Sequence, residues 1–123
     1  MILVDTSVWI DHLRHSDPDL IELLNAGRVI AHRFVIGELA LGNLQNRDMV
    51  LGALQDLPQA SVATDEEVMR FISQRKLFGI GIGYIDAHLL AAAQLSPGAL
   101  LWTRDKRLLA ASTQLGLTAN LTH

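Results

Sequence analysis

The chain contains no cysteine, so disulfides and thiolate metal sites are excluded. Apolar runs long enough to cross a membrane are missing as well; none comes near the roughly 18 residues that a span needs. The start shows no basic segment followed by a long apolar stretch, so no signal peptide or anchor is read there, and a reducing cytoplasm is the expected compartment. Positive charge is also short: ten Lys and Arg against thirteen Asp and Glu leave a net charge of -3. That excludes a broadly basic coat for nucleic acid, while leaving room for a local patch or a bound cation that recruits a phosphate.

Several catalytic signatures are absent too. In residues 78–84, FGIGIGY, Gly79, Gly81 and Gly83 alternate with apolar residues, but the spacing is not GxGxxG and no clear strand precedes it. The stretch reads as a flexible connector. No Ser, His and Asp set surrounds a recognisable nucleophile. His12, His15, His32 and His88 make no ligand pair on a common helix face, and His88, two residues from Asp86, turns away from it, so structural or surface roles are expected. Trp9 and Trp102 read as core or interface anchors, without the interleaved aromatic and basic residues of a stacking platform.

What the chain does have is apolar sequence in short pieces. Half of its 123 residues are apolar, enough for a single domain over 1–123 that buries about two-thirds of its unfolded surface. Strand-length runs fall at 2–4, 29–31, 61–63 and 100–103, and helical periodicity covers 8–13, 19–26, 34–41, 47–57, 65–77, 85–94 and 106–114. Gly27, Gly42, Pro58, Gly79 and Gly116 mark helix ends. Strands alternating with helices predict an α/β fold with a mainly parallel sheet.

Four carboxylates stand out against this pattern. Asp5 follows the first apolar run and Asp105 the last, each just before a helix, where an acid has an ordinary role as a cap. Asp86 lies near a helix start, with Leu90 and Ala93 on its face. Glu38 is stranger, because its helical neighbours are Phe34, Val35, Leu41 and Gly42. An ionised carboxylate in apolar surroundings needs a cation, hydrogen bonds or a metal. A salt bridge to Arg33 or Arg104 is the ordinary alternative for Glu38 and Asp86. Two of the acids follow strands, and the helices bearing the others can return across the same sheet edge, where open α/β sheets bind ligands. Four converging acids without Cys or paired His suit a hard divalent cation, Mg²⁺ or Mn²⁺ rather than Zn²⁺.

The segments VDTSVWIDHLR, GELALG, YIDAHLLAAA and LLWTRDKRL, in that order, resemble the PIN-domain ribonucleases, and among them the VapC-type toxins of bacterial toxin–antitoxin pairs. The resemblance runs nearly the full length. It implies a three-layer α/β/α sandwich, with the family's acids falling on Asp5, Glu38, Asp86 and Asp105 as metal ligands and its hydroxyl on Thr103. Thr6 and Ser7 are expected beside them as donors that orient carboxylates, with Ser7 also a helix cap. One departure lies at the mouth of the site, where His32 and Arg33 replace the smaller polar residues of related sequences.

The activity implied is hydrolysis of an RNA phosphodiester by a metal-activated water, with no covalent intermediate on the protein. Arg33, Arg104, Lys106 and Arg107 are candidates to hold phosphates. The resemblance also implies a VapB-type antitoxin laid over the catalytic groove and a homodimer, with apolar faces near Trp9, Leu44, Met49 and Leu54 available to either contact or to the core. Two other classes compete. A phosphoacceptor receiver domain has similar length and a Mg²⁺ site at strand ends, but this chain lacks an adjacent acid pair after its first strand and has Arg104 and Asp105 where a receiver needs lysine. A PIN-like module that binds a partner without catalysis is the other.

Overall fold

The computed structural model describes residues 1–121. In chain order it contains β1 (Ile2–Val4), α1 (Thr6–His15), α2 (Pro18–Asn25), β2 (Val29–Ile30), α3 (Arg33–Ala40), α4 (Arg47–Asp56), α5 (Asp65–Gln74), α6 (Tyr84–Leu95), β3 (Leu100–Trp102) and α7 (Lys106–Gln114). The strands form one parallel sheet in the order β2-β1-β3, with Leu3 opposite Ile30 on one side and Leu101 on the other. Helices cover it as an α/β sandwich. All three residues of β1 are buried, as a parallel strand covered on both faces requires, and this explains why it is uniformly apolar rather than alternating.

The fourth expected strand, at 61–63, does not form. Pairing on that side is a single rung, in which the Ala31 N–H donates to the Pro58 carbonyl at 2.8 Å and the Ala60 N–H to the Ala31 carbonyl at 2.7 Å. Residue 31 is the last to pair before His32 caps α3 and the chain turns away, so nothing remains for 61–63 to pair with. The far edge has a similar rung: the Leu101 N–H donates to the Leu117 carbonyl and the Ala119 N–H to the Leu101 carbonyl. The expected helices are all present. The fifth stops at Gln74 rather than 77, because Lys76 takes a left-handed backbone and the Leu77 N–H turns back to the Ile72 carbonyl.

The core joins Leu3, Val4, Val8, Leu20, Leu90, Leu101, Trp102 and Leu108. In α6 every residue from Ala87 to Ala93 is buried, so this helix is apolar all round and runs through the interior. It packs against α5 and β3. Among the described residues no helix is long and apolar enough to cross a membrane.

Candidate metal and catalytic centre

Asp5 is the residue at which β1 ends; its N–H still pairs with the Trp102 carbonyl at 2.9 Å. It holds the N-cap position of α1, but its side chain makes no cap bond, contrary to the capping role expected for it. The carboxylate, 5% exposed, instead turns toward two hydroxyls. Its Oδ2 accepts from Ser7 Oγ at 2.7 Å and from Thr103 Oγ1 at 2.7 Å. Ser7 therefore does not cap the helix either; its oxygen accepts the Arg104 N–H at 3.0 Å. Thr103 Oγ1 accepts the Asp105 N–H at 3.1 Å. Residues 5, 7, 103, 104 and 105 are thus one hydrogen-bonded unit across two neighbouring strand ends.

The other acids are each pinned in the same manner. Glu38 Oε1 accepts from Thr6 Oγ1 at 2.8 Å, Asp86 Oδ2 from the Gly83 N–H at 3.0 Å, and Asp105 Oδ1 from the Arg107 and Leu108 N–H groups at 3.0 and 2.9 Å. Asp105 does cap α7, as expected. In all four acids one oxygen is committed, and the other has no hydrogen bond among the described residues. Neither Glu38 nor Asp86 has a salt bridge among the described residues, which removes the ordinary alternative. Burial pushes the Asp86 carboxyl above the usual carboxylate range against the pull of the Gly83 N–H, and the charges of Asp5, Asp105 and Glu38 raise it further. The four acids therefore act on one another as one electrostatic cluster.

Oxygen donors alone, with no sulfur and no paired imidazoles, fit a hard divalent cation. Among the described residues no three His, Cys, Asp or Glu side chains are already gathered to hold an ion, so the cluster is open rather than a closed cage.

Of the expected phosphate contacts, Arg33 and Lys106 are exposed at the first positions of α3 and α7. Arg104 is engaged elsewhere: Nη1 donates to Asp11 Oδ2 at 2.8 Å, Nη2 donates to Asp17 Oδ2, and the guanidinium lies 5.5 Å from the Trp102 ring centroid. Sequence reasoning missed this clamp, because nothing in residues 11–17 shows which cation reaches them from 87 or more positions away. Arg107 lies against Gly81. A Cβ built there would meet its Nη1 at 2.6 Å, and Gly81 has φ +83, so the segment read as a flexible connector is a shaped turn. Gly81→Ala should destabilise the fold by about 1–2 kcal/mol through left-handed strain, and urea denaturation would reveal it.

His32 and His88 are buried as expected of structural residues. His32 Nδ1 accepts the Phe34 N–H at 3.0 Å and so caps α3. His88 lies between the Phe34 and Tyr84 rings, with centroids 4.7 and 4.8 Å away. Trp9 and Leu54, for which the sequence left contact and core both open, are core, at 4% and 3% exposure.

The parallel α/β sheet, with acids at the carboxyl ends of its first and last strands and on two flanking helices, is that of a PIN domain, and the chain belongs to that family by a match that covers residues 2–113. It is 52% identical over 117 residues, 95% of this chain and 94% of theirs, to the proteins named Ribonuclease VapC32 in two strains of Mycobacterium tuberculosis. The chain is thus a VapC-type PIN-domain protein. The receiver reading gives way to this result.

Proposed function

We infer that this chain is an endoribonuclease, the toxin of a type II toxin–antitoxin system, which hydrolyses RNA phosphodiesters with Mg²⁺ or Mn²⁺ held by Asp5, Glu38, Asp86 and Asp105. The observation that carries the reading is the cluster of four coupled carboxylates, each with one oxygen pinned and one uncommitted, and none neutralised by a salt bridge. When bound there, a divalent cation lowers the pKa of a water and stabilises charge developing on the phosphoryl group. Ser7 and Thr103 hold Asp5 in one rotamer, Thr6 holds Glu38, and the backbone N–H groups of α6 and α7 hold Asp86 and Asp105. Pinning of this kind keeps ligands in place before the cation arrives. Arg33 and Lys106 flank the centre as contacts for phosphates on either side of the cut.

The antitoxin would occupy a cavity of about 540 Å³ between α1 and the end of α3, lined by Ile10, Leu13, Leu39 and Leu44 and by the catalytic Glu38. Leu41, in the same stretch, is 90% exposed, an apolar side chain on a surface suited to being covered. A partner seated there blocks the centre directly. Homodimerisation and a cytoplasmic location complete the reading, the first checked by sedimentation of purified protein.

The test is cleavage of a mixed RNA pool with Mg²⁺, with Mn²⁺ and with chelator. Cutting that needs either metal and stops with chelator supports the reading. No cutting with any metal would leave a PIN-type binding module in its place.

A further inference from the structure

We propose that Arg104 is a positioning residue for the acid centre: its guanidinium ties the α1–α2 connection to the loop carrying Thr103 and Asp105, and so sets where Asp5 and Asp105 present their free oxygens. The proposal rests on the metal-dependent reading of that centre.

Arg104 is held at both ends. Its side chain donates to Asp11, on α1, and to Asp17, the N-cap of α2, and it lies over the ring of Trp102. Its backbone N–H donates to Ser7 Oγ, which in turn donates to Asp5 Oδ2. The residues on either side of it are Thr103, which donates to the same Asp5 oxygen, and Asp105. A shift of Arg104 therefore moves both hydroxyls that orient Asp5 as well as the backbone of Asp105.

The anchor itself is rigid. Asp17 Oδ1 accepts the N–H groups of Asp19 and Leu20 at 2.9 and 3.1 Å, leaving Oδ2 for the guanidinium. Burial pushes the Asp17 carboxyl upward, but the hydrogen bond from Arg104 and the helix N–H groups outweigh it and leave it below the usual value. A planar fork gripped by two carboxylates and an aromatic face is a use that lysine does not reproduce. The direction of the charge matters too. Arg104 adjoins Asp105 in sequence but makes no salt bridge to Asp5, Glu38, Asp86 or Asp105, so it orders the centre without competing with a cation. An RNA phosphate would have to displace two carboxylates to reach it.

The experiment compares Arg104→Gln, Arg104→Lys and Asp17→Asn in the full chain, with folding checked by thermal melts. Mn²⁺ binding is measured by calorimetry, and RNA cleavage as a function of both Mn²⁺ and RNA concentration. Arg104→Gln should bind Mn²⁺ about 10- to 100-fold more weakly and shift the metal-activation curve equally, with the KM for RNA at saturating Mn²⁺ within about twofold of the parent. Arg104→Lys should recover only part of the loss. Asp17→Asn keeps the α2 cap and should show the same pattern to a smaller degree; it carries the test if Arg104→Gln does not fold. Unchanged Mn²⁺ affinity in a folded Arg104→Gln protein overturns the clamp and leaves the centre standing. So does a loss confined to the KM for RNA with a shallower salt dependence, the mark of a phosphate contact. A parent chain that binds no Mn²⁺ overturns the centre and the clamp together.

Discussion

Asp86→Asn should lose RNA cleavage by about 1,000-fold or more, the several kcal/mol that a correctly held metal contributes to phosphoryl transfer, while the metal-free protein melts higher than its parent. The two changes have one cause. Asp86 is half-buried and faces the fields of Asp5, Asp105 and Glu38, all of which oppose its charge. Removing that charge removes a repulsion from the folded state and, on the proposed function, a ligand from the centre together. Asparagine can still accept the Gly83 N–H through its amide oxygen, so the first turn of α6 stays closed. Relief of that repulsion should raise the melting temperature, by no more than about a few degrees in a domain of this size, the trade between stability and activity common at functional sites. Initial rates with saturating Mn²⁺ and melts in chelator read the two effects separately. A variant that melts lower, or keeps a tenth of the activity, would sink this account of the centre.

The second large effect concerns pH. Burial lowers the pKa of His32 from 6.5 to about 4, and the neighbouring His88 and Arg33 oppose its protonation as well. Its Nδ1 accepts the Phe34 N–H, which requires that nitrogen to be free of a proton. The folded state thus binds a proton on His32 less readily than the unfolded chain. Stability from this residue is present above pH 6.5 and is lost as pH falls from there toward 4. Allowing for solvent screening, the loss is on the order of 2 kcal/mol. His32→Asn retains an oxygen to cap α3 but cannot titrate, so its stability should be flatter across that interval even if it is lower at pH 7. Urea midpoints from pH 7 to 4.5 for both proteins decide the matter, and parallel curves would exclude His32 as the source.

Much of the fold was legible because its cues are local. Apolar runs at 2–4 and 100–103, and punctuation by Gly27, Gly42 and Gly116, mark elements that form close to where they were expected. The strand expected at 61–63 failed for a non-local reason: whether a short apolar run pairs depends on a free edge beside it, and residue 31 offers one rung. Glu38 and Asp86 were legible as misfits, charges on faces that should be apolar, whereas Asp5 and Asp105 read singly as helix caps, and the resemblance placed all four in one set. Hydroxyl orientation was harder to read. Asp5 has the sequence of a helix cap, yet its carboxylate rotates toward Thr103, 98 residues away. Arg104 has the sequence of a surface cation next to a candidate site acid and is held by partners on α1 and at the start of α2. Long side chains choose partners in space, and a single sequence does not rank those choices.

The strand order β2-β1-β3 places the first strand made between its two partners, and the last of them is among the final elements of the chain. Asp5 is oriented by Thr103, and Asp105 comes two residues later. During synthesis a ribosome therefore carries most of this protein while its centre is still incomplete: Glu38 and Asp86 have emerged, but neither the hydroxyl that orients Asp5 nor the fourth acid has. On the function proposed above, the strand order itself delays the four-acid centre until residue 105 has been made, because β3 and the acid that follows it come after every other part of the site.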